Sequence, residues 1–160
     1  MTLWLLTTLL AAAHSGGPIE IPFEFYRNQI VLQVDIAGQG PFSMLLDTGT
    51  DPSAIDLATA RRIGLKIKAE GHRVAGGGTE VNLGYETSLP VVQVGGLSAR
   101  NISAIAIDLS KLSEQLGRAA HGVLGHSFLN GRTVQIDYPN RIIRFYDAPL
   151  LSGTRGRAAY

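Results

Sequence analysis

The clearest signal along the chain is an alternation of apolar and polar residues with period two. Ile19, Ile21, Phe23 and Phe25 alternate with Glu20, Pro22 and Glu24, which reads as one half-buried strand. Pro22 has no N–H to offer a ladder, so this strand belongs at an edge or is paired on one side only. Tyr26-Arg27-Asn28 turns the chain into a second alternating run, with Ile30, Leu32, Val34 and Ile36 on one face. Gly38-Gln39-Gly40-Pro41 has the composition of a turn. Phe42 to Leu46 is apolar on both faces, as expected of a strand buried at the centre of a domain. Strand signals return at Leu65 and Ile67, at Leu89 to Val94, at Leu97 to Ala99 after a break at Gly95-Gly96, and at Ile102 to Ile107. Val134 and Ile136 alternate with Gln135 and Asp137, Tyr138-Pro139-Asn140 turns, and Ile142 to Tyr146 closes the sheet.

Two short helices interrupt the strands. Asp56 caps the first, Leu57 to Ile63, which Gly64 stops. Asp108 opens the second, where Leu109, Leu112 and Leu116 recur at helical spacing before Gly117. A single helical turn follows at Ser127 to Leu129. With about nine short strands, the chain reads as a mainly-β, barrel-like domain.

Composition narrows the picture. A chain of 160 residues, 45% apolar and 17% charged, supports one globular core. A formal net charge of +1 with no dense basic run gives no electrostatic case for a nucleic-acid partner or an anionic membrane surface. With no cysteine, disulfides, thiolate metal sites and an acylated cysteine are excluded. Leu3 to Ala13 is a mostly apolar run, too short to span a bilayer and suited to a signal-peptide core, with small residues at Ala11-Ala12-Ala13-His14-Ser15 behind it. Its flank carries no Lys or Arg. The expected organisation is a signal peptide over 1–15, one domain over 16–150 and a flexible Gly/Arg/Ala tail over 151–160, in an exported protein, periplasmic or secreted. Beyond that N-terminal signal or anchor, no membrane contact is expected.

The candidate chemistry lies where Met44-Leu45-Leu46 runs into Asp47-Thr48-Gly49-Thr50, a strand delivering a carboxylate to a tight, hydroxyl-lined loop. Asp-x-Gly alone is a common turn composition. Here it is followed by Ser53-Ala54-Ile55-Asp56 leading into a helix, and far along the chain by Gly122-Val123-Leu124-Gly125. Together these segments resemble the retropepsin-like aspartic proteases, the single-lobed, retroviral-type family, in a bacterial-type member; the resemblance covers roughly residues 19 to 147.

That resemblance implies a closed-barrel-like acid-protease fold and hydrolysis of peptide bonds in a peptide or protein substrate by an activated water, with no metal or cofactor. It makes Asp47 one catalytic carboxylate, with Gly49 N–H and the Thr50 hydroxyl bonding to it and Thr48 bracing the other half of the site. Val123 and Leu124 would shield the carboxylates and Gly125 would permit close backbone approach. Ala75, Gly76, Gly77 and Gly78 fall where the family keeps its flap, the hairpin that folds over bound peptide; glycines suit a lid that opens and lays backbone on substrate. Two carboxylates must share one proton, one ionised to accept a proton from water and one protonated to polarise the carbonyl. Asp-Thr-Gly occurs once, so the dyad would be Asp47 and its symmetry mate in a homodimer.

The competing reading is a catalytically inactive module of the same fold that binds peptides or dimerises. His121 and His126 stand five apart, wrong for one helical face and without a third ligand nearby, so packing or surface roles are expected for them. Asn101-Ile102-Ser103 matches a glycosylation sequon, which has meaning only in a eukaryotic secretory pathway.

Overall fold

The run from Ile19 to Phe25 forms two strands rather than one. Ile19–Pro22 (β1) pairs with Ile142–Tyr146 (β11), whereas Glu24–Tyr26 (β2) pairs with Gln29–Ile36 (β3) in a different sheet. The switch follows Pro22, which ends the first ladder, and Phe23 N–H then bonds to Arg141 O at 2.9 Å. Ile21 and Phe23 are buried as the alternation predicts. Phe25, past the switch, is 39% exposed and lies edge-on to Tyr138. These coordinates are a computed structural model that describes residues 17–75 and 81–146. The expected signal segment, the flap tip Gly76-Gly77-Gly78 and the tail lie outside the described residues.

Two-residue hairpin turns set the register at both ends of β3. Arg27 and Asn28 (φ 48° and 62°) join β2 to β3, and Ala37 and Gly38 (φ 52° and 75°) join β3 to Gln39–Leu46 (β4). Two consecutive left-handed residues match the right-handed twist of the flanking strands. The second turn is therefore shorter than composition implied: Gln39, Gly40 and Pro41 belong to β4, and Gln39 already pairs with Ile36.

The main sheet closes on itself. Strand β4 pairs with β3 on one side and, in parallel, with Gly122–Leu124 (β9) on the other. Antiparallel to β9 runs Ser53–Asp56 (β5), which lies parallel to Leu97–Ile107 (β8). The long hairpin of β8 with Val81–Val94 (β7) returns to β3 through Asp35↔Gln93 and Ile36↔Val92. Strand β2 flanks this ring beside β3, and Ile67–Ala75 (β6) flanks it beside β7. A smaller sheet holds β1, β11 and Thr133–Asp137 (β10), with β1 at an edge as Pro22 requires.

Among the described residues there are eleven strands and three short helices, Leu57–Arg62 (α1), Ser110–Leu116 (α2) and His126–Leu129 (α3). The strand count exceeds the sequence-based one because β1 and β2 separate and Ser53–Asp56 and Gly122–Leu124 are strands, while Leu97–Ile107 is one strand rather than two; the last helical turn is a helix in its own right. The apparent break near Asn101 vanishes: Asn101 (φ 54°) falls opposite Pro90, between the pairs Val91↔Arg100 and Leu89↔Ile102, where the ladder has no donor to lose.

Two apolar clusters explain why Phe42 to Leu46 lacks a polar face. Met44 and Leu46 point into the ring with Val34, Ile55, Val92 and Leu124. Leu45 points outward, where α2 covers it, with Val31, Leu116 and Val123. Burying each such side chain contributes about 1.5–3 kcal/mol, so the strand leading into Asp47 is fixed from both sides.

Asp137 ties the small sheet together. It accepts from the Asn140 side chain (2.9 Å), from Asn140 N–H (3.1 Å) and from Arg144 Nη1 (3.1 Å), while Arg144 Nε reaches Glu20 on β1 at 2.6 Å. Asn140's side-chain amide and backbone N–H, then Arg144, hold the Asp137 carboxyl below its ordinary value. A carboxyl lowered on folding stabilises the fold above its unfolded pKa of about 3.9, and the contribution is lost as pH falls through the folded value. Urea titrations should therefore show Asp137→Asn less stable than wild type at pH 6, with the gap shrinking below about pH 4. A gap that persists unchanged into acid would remove this role.

Candidate active site

Buried Leu46 ends β4, and the chain emerges into a loop whose carboxylate is fixed by its own next residues. Gly49 N–H donates to Asp47 Oδ1 at 2.8 Å, and the Thr50 hydroxyl donates to Asp47 Oδ2 at 2.9 Å. Each carboxylate oxygen thus has one short, charge-assisted bond. Asp47, Thr48 and Gly49 are exposed and Thr50 is half-buried.

The second motif lies directly beside this loop. In the parallel β4–β9 pairing Leu46 stands opposite Leu124, and Asp47 N–H donates to Leu124 O at 3.0 Å. One step on, His126 N–H donates to Thr50 O at 2.7 Å. Gly125 is needed here for space: a Cβ on it would sit 2.2 Å from Thr50 O, a backbone atom that cannot step aside. Leu124 points into the ring and Val123 into the cluster under α2. Val123 also lines the cleft onto which Asp47 opens.

Asp47, Gly49 and Thr50 open onto a cleft of about 830 Å³. Val74 and Asn82, paired across the stem of the β6–β7 hairpin, line one wall, and Leu112 and Leu116 of α2 line another. Ala75 is the last residue of β6, opposite Val81. At one end stands Arg27, whose guanidinium donates to Gln115 O of α2. The two histidines are placed apart in role: His121 Nδ1 accepts Ser43 N–H at 3.1 Å, bracing β4 against β9, and His126 begins α3 with its side chain exposed.

A polar network behind the loop was not anticipated. Ser127 Oγ donates to Ser103 O (2.8 Å) and accepts Ser53 N–H (2.9 Å), so the Ser53 hydroxyl must donate its proton to Ser127 Oγ (2.8 Å). Ser53 Oγ then accepts Gly125 N–H at 3.0 Å. Ser53 is fully buried, and the signal was present: in Ser53-Ala54-Ile55 it shares a face with core residue Ile55. Asp56 likewise does more than cap α1 through Thr59 N–H (2.9 Å), since its other oxygen accepts Leu109 N–H at 3.3 Å and fastens the start of α2. Leu109 is the residue before α2 rather than part of it.

Ser53→Ala strands Gly125 N–H in a buried site. We expect a loss of about 1–3 kcal/mol in urea-induced unfolding, the cost of an unsatisfied buried donor. Ser127→Ala should cost a comparable amount, and the double variant less than the sum. Full additivity would show that the hydroxyls do not act as one network.

Comparison with known proteins supplies the family. The aspartyl protease family model matches residues 32–128, a stretch that holds both Asp47 and Gly125 and spans more than half of the chain. Among solved structures, a retropepsin-like aspartic protease from Rickettsia conorii superposes with a TM-score of 0.54 at 18% identity, covering 81% of this chain and 90% of that one. The retroviral protease-like domain of Ddi1 from Leishmania major gives 0.48 at 15% identity, covering 76% and 94%. No curated protein matches the chain. The fold is that of the retropepsins, and the chain belongs to the aspartyl protease family.

Proposed function

We propose that this protein is an aspartic endopeptidase whose catalytic dyad is Asp47 and the same residue of a second copy. The observation that carries the reading is the state of Asp47 in a single chain. Its carboxylate is exposed, its oxygens are held by Gly49 and Thr50, and no second carboxylate is bonded to it among the described residues. A loop this well ordered around an unpartnered acid is half of a two-acid site.

Across the two-fold axis the ionised carboxylate takes a proton from water, and the oxygen of that water attacks the peptide carbonyl carbon. The neutral carboxyl gives its proton to the carbonyl oxygen. When the resulting diol collapses, the newly protonated carboxyl gives its proton to the amine nitrogen, a diol hydroxyl gives its proton to the other carboxylate, and the C–N bond breaks, which leaves the pair with one shared proton. The second copy also covers the exposed loops, and Thr48 braces its counterpart across the axis. For the compartment we propose export, on the apolar run at residues 3–13; mass spectrometry of protein from its native host should find a mature terminus near His14 or Gly16. A cytosolic product that begins at Met1 or Thr2 would refute it.

Asp47→Asn keeps the shape of the loop but cannot exchange a proton. Cleavage by that variant should fall by on the order of 10³-fold or more with the dimer intact by sedimentation. Near wild-type cleavage would sink the assignment. Because catalysis needs one carboxyl ionised and its neighbour protonated, activity should be bell-shaped in pH. Two charged carboxylates held together repel, so activity and dimer stability fall together once both are ionised. Specific activity should also drop on dilution. An active monomer by sedimentation would end the dimer reading.

A further inference from the structure

Helix α2 has a cavity on each side. Lys111, Leu112, Gln115 and Leu116 line the Asp47 cleft, whereas Ser110 and Ser113, three apart and so on one face, line a separate cavity of about 390 Å³. Asp56, Thr59 and Arg62, from α1 and its cap, form a second wall of that cavity, and His121 stands in a third. Its volume is within the usual range for a small-molecule site.

Hydrogen bonds between segments hold these walls in place. Asp56 N–H donates to His121 O at 2.8 Å, and Asp56 Oδ1 accepts Leu109 N–H at the start of α2. From α2, Ser113 Oγ accepts Ala120 N–H at 3.0 Å. His121 is tied twice to Ser43 of β4: its N–H donates to Ser43 O at 2.9 Å, and its Nδ1 accepts Ser43 N–H at 3.1 Å. The cavity is thus formed before anything enters it.

The bonds that build the walls leave donors unused. An imidazole that accepts at Nδ1 carries its proton on Nε2, and no acceptor takes that proton among the described residues. Ser113 Oγ accepts from Ala120 and keeps its own proton to give. Arg62 is exposed, lies 5.7 Å from the centre of the Phe42 ring and pairs with no carboxylate among the described residues. His121 meets the same Phe42 ring, with centroids 5.4 Å apart, so both side chains flank one aromatic support. The acceptors, by contrast, are engaged. Asp56 Oδ2 takes the Thr59 N–H and hydroxyl, and the Ser110 hydroxyl donates to Asp108.

We propose that this cavity is a binding site for an organic carboxylate. The planar fork of Arg62, the Ser113 hydroxyl and His121 Nε2–H hold the carboxylate, and its apolar body lies against Ala58, Ala119 and Ala120. A phosphate dianion suits the site less, because Asp56 offsets the one cation in the lining. The site is independent of the chemistry proposed for Asp47, since it lies on the other face of α2. With its guanidinium exposed to solvent, it binds a simple acid with a Kd on the order of 1 mM.

The test is an NMR titration of the full chain with benzoate, read at backbone amides and at the His121 ring. Benzoate should shift residues 56–62, 110–113 and 119–121 and move the His121 Nε2 signal, while benzamide, of the same shape without the charge, should not. Arg62→Gln should weaken binding about fivefold or more and Arg62→Lys by less. Unchanged spectra away from the cavity establish that these surface variants keep the fold. A second arm replaces benzoate with a short peptide bearing a free or an amidated C-terminus. Tighter binding of the free-ended peptide assigns the carboxylate to a chain end, and tighter binding of benzoate assigns it to a small acid; either supports the site. The proposal is overturned by the absence of shifts at these residues up to about 20 mM benzoate. Equal binding of benzamide or inorganic phosphate, or affinity that Arg62→Gln leaves unchanged, overturns it as well. Because the readout is binding, a chain that cleaves no peptide but binds benzoate here removes the catalytic reading and keeps this one.

Discussion

The site depends on the parallel pairing of β4 with β9. Leu46 opposite Leu124 brings two segments more than seventy residues apart into one sheet, and the bonds Asp47 N–H to Leu124 O and His126 N–H to Thr50 O extend that ladder into the loops. The closeness of the two backbones leaves no room for a side chain at Gly125. Once the loops are joined, Gly49 N–H and the Thr50 hydroxyl have one place to point, and the Asp47 carboxylate is oriented before anything binds.

Packing on two sides keeps that pairing rigid. The ring core holds Met44, Leu46 and Leu124, and the outer cluster holds Leu45 and Val123 under α2. Strand β5 lies on the other side of β9 and carries Ser53 and Asp56. Ser53 satisfies Gly125 N–H, while Asp56 fastens the start of α2. The helix that covers the strand is therefore also a cleft wall, and the β2–β3 hairpin is docked on it through Arg27, Arg118 and Tyr26. The Asp47 loop, the helix and the hairpin are thus packed against one another.

The amino-acid sequence determined the local elements and their chemistry. Alternation marked β3 and β10, the two-sided apolar run marked β4 as central, and Asp56 with Gly64 bounded α1 nearly to the residue. The resemblance carried by Asp-Thr-Gly-Thr implied both bonds to the carboxylate, and both are made within three residues. Non-local features were not legible in this way. Period two survives a change of sheet, so the step from β1 to β2 at Phe23 left no trace in the pattern and Phe25 was misplaced as inward-facing. Turn composition located the β3–β4 connection but not its two-residue length, which the left-handed Ala37 and Gly38 decide. Only the tertiary structure put Arg27 in the cleft, closed the ring through β7 and β3, and turned Ser53 and Ser127 into partners, because each depends on contacts between segments far apart in the chain. A side chain's type is local information; which distant backbone it meets is settled by packing.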